Sequence, residues 1–189
     1  MHNCLVGSEM CIRDRFPDPM PRTLSRISRD RSKGELMSFS ARLSELGIEL
    51  PEVAAPLASY VPAKRSGNYV YTSGQLPLVG GELIASGKVG AEVDEATAHE
   101  CARVCILNAL AAVAAVVGGL DTIRSIVKVV GFVASDPSFS GQPTVINGAS
   151  DLLGEIFGDA GSHARSAVGV SVLPKDAPVE IEMIVEVAD

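Results

Sequence analysis

From residue 179 to residue 187 the chain alternates without a break, with Val179, Ile181, Met183, Val185 and Val187 on one side and Glu180, Glu182, Ile184 and Glu186 on the other. Successive side chains of a strand point to opposite faces, so this segment demands a sheet with one apolar and one polar face. The apolar face must be covered by a second layer. The strongest helical segment, 94–117, can supply it: its Ala-rich stripe suits close packing on a sheet, and Gly118-Gly119 follows it as a C-terminal cap. Self-association is the economical way to cover the other face.

The remaining elements fall around these two. Phe39, Leu43 and Leu46 recur at helical spacing until Gly47, which predicts a short packed helix over 39–46, and Pro51 and Pro56 mark a loop after it. Residues 59–65 and 68–73 alternate as strands around Gly67-Asn68, a hairpin turn, and Val79-Gly80-Gly81 turns the chain again before 82–85. Beyond the long helix, 125–134 reads as a buried strand, 144–157 as a second helix, and 166–173 as a further strand before 179–187. The expected order is β-β-β-α-β-α-β-β: an α+β domain with two main helices on one face of a mixed sheet.

Charge separates a leader from this domain. Residues 1–36 hold seven Lys or Arg against five acids, net +2, whereas the rest of the 189-residue chain holds nine against eighteen, net −9. The leader has no helical or strand periodicity, carries Pro17, Pro19 and Pro21 and mixes Ser with Arg, a composition of disorder. Its segment 4–15 resembles translated adaptor sequence, and Met37 offers an alternative start. A transit peptide fits poorly, because five acids interrupt it and no amphipathic stripe is present. The expectation is one domain over 37–189, preceded by a disordered segment that is artefactual or a non-native start.

Composition narrows the chemistry. The acidic domain repels phosphate backbones, and its sparse Phe and Tyr offer little surface for base stacking, so nucleic acid is a poor default partner. Cysteines at 4, 11, 101 and 105 lack metal-ligand or disulfide-framework spacing, and the apolar run Cys105–Val117 alone is too short for a bilayer. A soluble, cytoplasmic protein is expected. His99 and His163 are the only histidines outside the leader, with no paired metal motif; no phosphate loop or dinucleotide fingerprint occurs either. No metal and no cofactor are implied. Cys101 and Cys105, one helical turn apart, fit small buried fillers better than a redox pair.

Five blocks stand in register along residues 37–189: Tyr60 through Gly67-Asn68; Tyr71-Thr72-Ser73-Gly74-Gln75-Leu76-Pro77; Asn108; Ile126-Val127-Lys128 with Phe132 and Asn147; and Ala164-Arg165-Ser166 with the run from Leu173 to Glu182. Together they resemble the RidA (YjgF-like) family. The resemblance implies a chorismate-mutase-like α+β fold, a homotrimer, and ligand sites in the clefts between subunits. It also implies hydrolysis of small 2-imino or 2-enamino acids to 2-keto acids and ammonia.

The residues can be checked against that chemistry. Such substrates carry a carboxylate, which a guanidinium grips through two parallel charge-assisted hydrogen bonds, and Arg165 stands at the family's arginine position. Glu180 matches the glutamate that handles water or a proton. Tyr60 and Ser73 match pocket-lining positions, Gly74 allows close backbone approach, and Ala167 stands where a backbone carbonyl faces water; Asn147 fits a helix-surface or subunit contact. Two departures bear on substrate choice: His163 replaces the usual proline before the Ala-Arg pair, and Ala167 replaces a frequent Cys or Thr.

If 166–173 and 179–187 form a hairpin around Asp176, Glu180 lies opposite residue 172, about 20 Å along the strand from Arg165. One chain could not then place both on one small substrate, so neighbouring chains are expected to combine them. Two alternatives remain open at this level: a non-catalytic trimer binding carboxylate metabolites through Arg165, and an endoribonuclease-like activity.

Overall fold

The computed structural model describes residues 38–53 and 59–189. The leader 1–36, the start at Met37 and the loop residue Pro56 lie outside the described residues. The first element is helix α1 (Phe39–Glu45), capped by Ser38, whose Oγ accepts from the Ala41 N–H at 3.1 Å. Phe39 stacks against Phe157 with ring centroids 4.6 Å apart, and Asp121 accepts from both the N–H and the hydroxyl of Ser40.

Strands β1 (Ala63–Ser66) and β2 (Tyr69–Thr72) form the expected hairpin, with Ser66 opposite Tyr69 across the Gly67-Asn68 turn. The first strand begins at residue 63 rather than 59, because Pro62 has no N–H to give a ladder. A separate two-residue hairpin, β3 (Leu78–Val79) with β4 (Glu82–Leu83), follows. Helix α2 (Glu95–Val117) opens on Asp94, whose Oδ1 accepts from the Thr97 N–H at 2.7 Å, and ends at Gly118 with φ 83°. Then come β5 (Ile123–Ala134), α3 (Gln142–Phe157), β6 (Ala164–Val170) and β7 (Val179–Val187).

The main sheet runs β1-β2-β7-β5-β6, mixed in sense: β6 is parallel to β5 and every other neighbour is antiparallel. The hairpin expected between the last two strands is absent. The turn at Pro174–Asp176 is there, but β5 lies between β6 and β7, and Glu180 sits opposite Phe132 rather than residue 172. The cause is α3: as a crossover it returns the chain parallel to β5 on one edge, leaving the other edge of β5 to β7.

The alternation of β7 sets the layers. Val179, Ile181, Met183, Val185 and Val187 are buried under the helices, with α2 lying over β7, β1 and β2 and α3 over β5 and β6. By length and composition α2 as a whole could cross a membrane, because Ala98, Cys101 and Ala102 extend the apolar run, but here those residues and its centre form the core of the domain. Cys101 and Cys105 are buried fillers; burial, with the Glu100 charge second, lifts the Cys101 thiol to about 11. On the other face Glu180, Glu182, Ile184 and Glu186 stand beside Lys128, Val130 and Phe132 of β5 and Tyr69 and Tyr71 of β2, and no described element covers them.

Two glycines let the helical layer come close. A Cβ at Gly131 would meet the Ile146 side chain at 2.4 Å, and one at Gly148 would meet the His99 carbonyl oxygen at 2.1 Å. The first brings α3 down onto β5, and the second seats it against α2. Because a backbone atom cannot yield as a side chain can, Gly148→Ala should destabilise the domain by about 1–3 kcal/mol, read as a lower urea midpoint with an unchanged slope.

Candidate functional site

The sequence-expected residues fall into two clusters on opposite faces of the sheet. The first lies on the helix face at the outer edge, where β6 pairs only with β5. Arg165 stands opposite Val129, a buried core residue, so its side chain enters the layer between β6 and α3. There Nη1 donates to Asn147 Oδ1 at 2.8 Å and to Ser150 Oγ at 3.1 Å. Asn147 and Ser150 are three apart on α3 and therefore share one face of the helix. Ala167, two residues further along β6, packs on the core opposite Gly131.

Both hydrogens of Nη1 are thus engaged by neutral acceptors. Among the described residues the ion pairs are Arg42–Glu45 and Arg103–Glu155, and no carboxylate reaches Arg165. Its Nε and Nη2, the other edge of the guanidinium fork, meet no acceptor among the described residues. A half-buried guanidinium held by neutral oxygens keeps its charge available to an anion, and its Nε/Nη2 edge has the shape that binds a carboxylate bidentately.

The second cluster lies around β2 and β7. Between the pairs Tyr71 with Ile184 and Gln75 with Ile181 the register slips by one residue, so Ser73-Gly74 forms a bulge. Thr72 repairs the ladder there, its Oγ1 accepting from the Met183 N–H at 2.9 Å. Ser73 in turn pins the strand that precedes β1: its N–H donates to Pro62 O at 2.8 Å and its hydroxyl to Val61 O at 2.7 Å. The exposed Tyr60 directly precedes this pinned segment.

Gly74 faces Glu180 directly. A Cβ at this position would lie 1.7 Å from Glu180 Oε1, so the close approach that Gly74 permits is to the glutamate carboxylate. Glu180 is half-buried; desolvation raises its pKa above the ordinary 4.5, and the charge of Glu182 pushes the same way. Glu182 also lines a small cavity of about 120 Å³ with Tyr71, Lys128 and Ile184.

Within one chain these clusters do not meet. Arg165 pairs with Val129 on the helix face, while Glu180 pairs with Phe132 on the open face; three residues of β5, about 10 Å, and the thickness of the sheet separate them. Arg165, Asn147 and Ala167 belong to the first cluster and Ser73, Gly74 and Glu180 to the second, with the exposed Tyr60 just before the segment that Ser73 pins. Ser150 belongs to the first cluster and bears no mark in the sequence beyond its spacing of three from Asn147.

The comparisons agree with this architecture. A family model described as "YjgF/chorismate_mutase-like, putative endoribonuclease" matches residues 40–187. Protein TCP17 of Trypanosoma cruzi is 44% identical over 150 residues, covering 78% of this chain and 92% of that protein. The crystal structure of Atu1372 from Agrobacterium tumefaciens, a protein of unknown function, is 47% identical with a TM-score of 0.73, covering 79% of this chain and 92% of that one. Escherichia coli TdcF, solved with bound serine, is 27% identical with a TM-score of 0.52, covering 73% of this chain and 93% of that one. The chain belongs to the YjgF/RidA-like family, and its α+β architecture is the chorismate-mutase-like fold of that family.

The raised Glu180 pKa has two physical sources, and one can be removed. Glu182→Gln should lower the Glu180 carboxyl midpoint in a carbon-13 NMR titration, because it deletes a neighbouring negative charge and leaves burial unchanged. An unmoved midpoint would assign the whole shift to desolvation.

Proposed function

We propose that the protein hydrolyses small 2-imino or 2-enamino acids to 2-keto acids and ammonia, in sites shared between neighbouring subunits of a homotrimer. The observation that carries this reading is Arg165: a half-buried guanidinium with Nη1 anchored on α3, no acidic partner among the described residues, and its Nε/Nη2 edge open. That edge would grip the substrate carboxylate. The bound serine of TdcF, a small molecule bearing a carboxylate, supports the same ligand class.

The chemistry then asks for water and a proton at the far end of the substrate. Water adds to C2 of the protonated imine and gives one proton to the nitrogen; the C–N bond then breaks as the C2 hydroxyl loses its proton and becomes the keto oxygen, and the departing ammonia takes up that proton as ammonium. Glu180, its basicity raised by burial, is suited to take a proton from that water and pass it to nitrogen. Tyr60 and Ser73 would line the pocket, Gly74 would set the carboxylate of Glu180, Asn147 would hold Arg165, and the backbone at Ala167 on the edge strand would face the reacting water. Since Arg165 and Glu180 lie on opposite faces of one chain, the second half is assigned to the adjacent subunit. The uncovered face carrying Tyr69, Tyr71 and Val168, each more than 40% exposed, would supply the contact. Residues 37–189 are the proposed functional unit, acting in the cytoplasm without a cofactor.

The test couples an amino-acid oxidase or a threonine dehydratase to the purified protein and follows imine decay. Wild type should accelerate decay. Arg165→Ala should lower kcat/KM by roughly 10- to 100-fold, as expected for losing charge-assisted hydrogen bonds of about 1.5–3 kcal/mol. No acceleration over several imino acids, with carboxylate binding retained, would favour a metabolite-binding protein, and RNA binding that weakens steeply with salt would revive the endoribonuclease reading.

A further inference from the structure

His163 directly precedes the Ala164-Arg165 pair, and the structure gives its ring two partners. Nδ1 lies 2.6 Å from the Gly161 carbonyl oxygen and Nε2 lies 3.1 Å from Ser150 Oγ. A carbonyl oxygen only accepts, so Nδ1 carries the hydrogen. In the neutral ring Nε2 is therefore an acceptor, and the Ser150 hydroxyl donates to it. That fixes the hydroxyl rotor and leaves a Ser150 lone pair facing Arg165 Nη1, which donates to it at 3.1 Å. The bonds run in one direction: Arg165 Nη1–H to Ser150 Oγ, Ser150 O–H to His163 Nε2, and His163 Nδ1–H to Gly161 O.

We propose that His163, acting through Ser150, is a positioning residue that fixes the roll of the Arg165 guanidinium and so aims its Nε/Nη2 edge at an incoming carboxylate. Asn147 alone holds one hydrogen of Nη1, and a single hydrogen bond leaves the fork free to swing about it. The second bond, to Ser150, removes that freedom, but only while the hydroxyl hydrogen points away from Arg165. His163 Nε2 is the group that keeps it turned away. The anchor itself is rigid: Gly161 ends the short 3-10 turn after α3, and a Cβ on it would lie 2.3 Å from Leu153 O, so its carbonyl is held against the same helix that carries Asn147 and Ser150.

This inference rests on the carboxylate-binding part of the proposed function and not on turnover. The experiment therefore measures both, in the full-length chain: calorimetric affinity for 2-oxobutanoate, a non-reacting carboxylate of the product class, and kcat and KM for imine hydrolysis. His163→Leu, which keeps bulk and removes the acceptor, should weaken 2-oxobutanoate binding and raise KM about tenfold while kcat changes less than about twofold. His163→Gln, which restores an acceptor for Ser150, should stay within about threefold of wild type. Ser150→Ala should match His163→Leu, and the double variant should be no weaker than Ser150→Ala alone, because a relay is broken once. Losses that add in the double variant, or a Gln variant as weak as the Leu variant, would mean that His163 only packs the turn and would overturn the proposal. So would a wild type that binds no carboxylate. A wild type that binds 2-oxobutanoate in this pattern but hydrolyses no imine would overturn the hydrolase reading and leave the positioning role standing.

Discussion

The two-sidedness of β7 is the constraint on which the rest of the structure depends. It is the middle strand of five, and its alternation sends five apolar side chains under α2 and α3 while three glutamates and Ile184 face away. A central strand cannot slip by one residue without exchanging these sets, so the register of β2 and β5 on either side is fixed with it. The bulge at Ser73-Gly74 then seats against Glu180, and the edge strand β6 is left with one neighbour. In the observed pairing Arg165 lies on the helix face of the edge strand and Glu180 on the open face of β7, so the two stand apart within the chain.

Electrostatics gives the two halves complementary character. Arg165 is held by neutral oxygens of Asn147 and Ser150, which fix its geometry without spending its charge. Glu180 sits where desolvation and Glu182 both disfavour its ionised form. On the proposed reading the first group binds the substrate carboxylate, and the second, its basicity raised by burial, moves protons.

Much of the fold was legible in the sequence. The order of elements follows from periodicity and from Gly and Pro punctuation, and α1, α2 and β7 fall within a residue or two of the spacing-based bounds. Strand neighbours were not legible: the short link 171–178 suggests a hairpin, but periodicity does not say which strand lies next to which, and the crossover through α3 placed β5 between the two. At the site, Arg165, Glu180 and their companions are marked by the family blocks. The reason for Gly74 is not, because it depends on a glutamate more than a hundred positions away in sequence. Ser150 and the partners of His163 were equally hidden, since the chain that joins them to Arg165 exists only once α3 has packed against β6.

The central claim is that each reaction centre takes Arg165 from one subunit and Glu180 from the next, and mixing two defective chains tests it most directly. Arg165→Ala and Glu180→Gln, each strongly impaired alone, should regain imine hydrolysis when unfolded together and refolded in equal amounts. In a closed ring of randomly mixed subunits about a quarter of the interfaces pair an intact arginine with an intact glutamate, so recovery should approach about a quarter of wild-type activity. Mixed assemblies that form and remain as impaired as either parent would contradict the account.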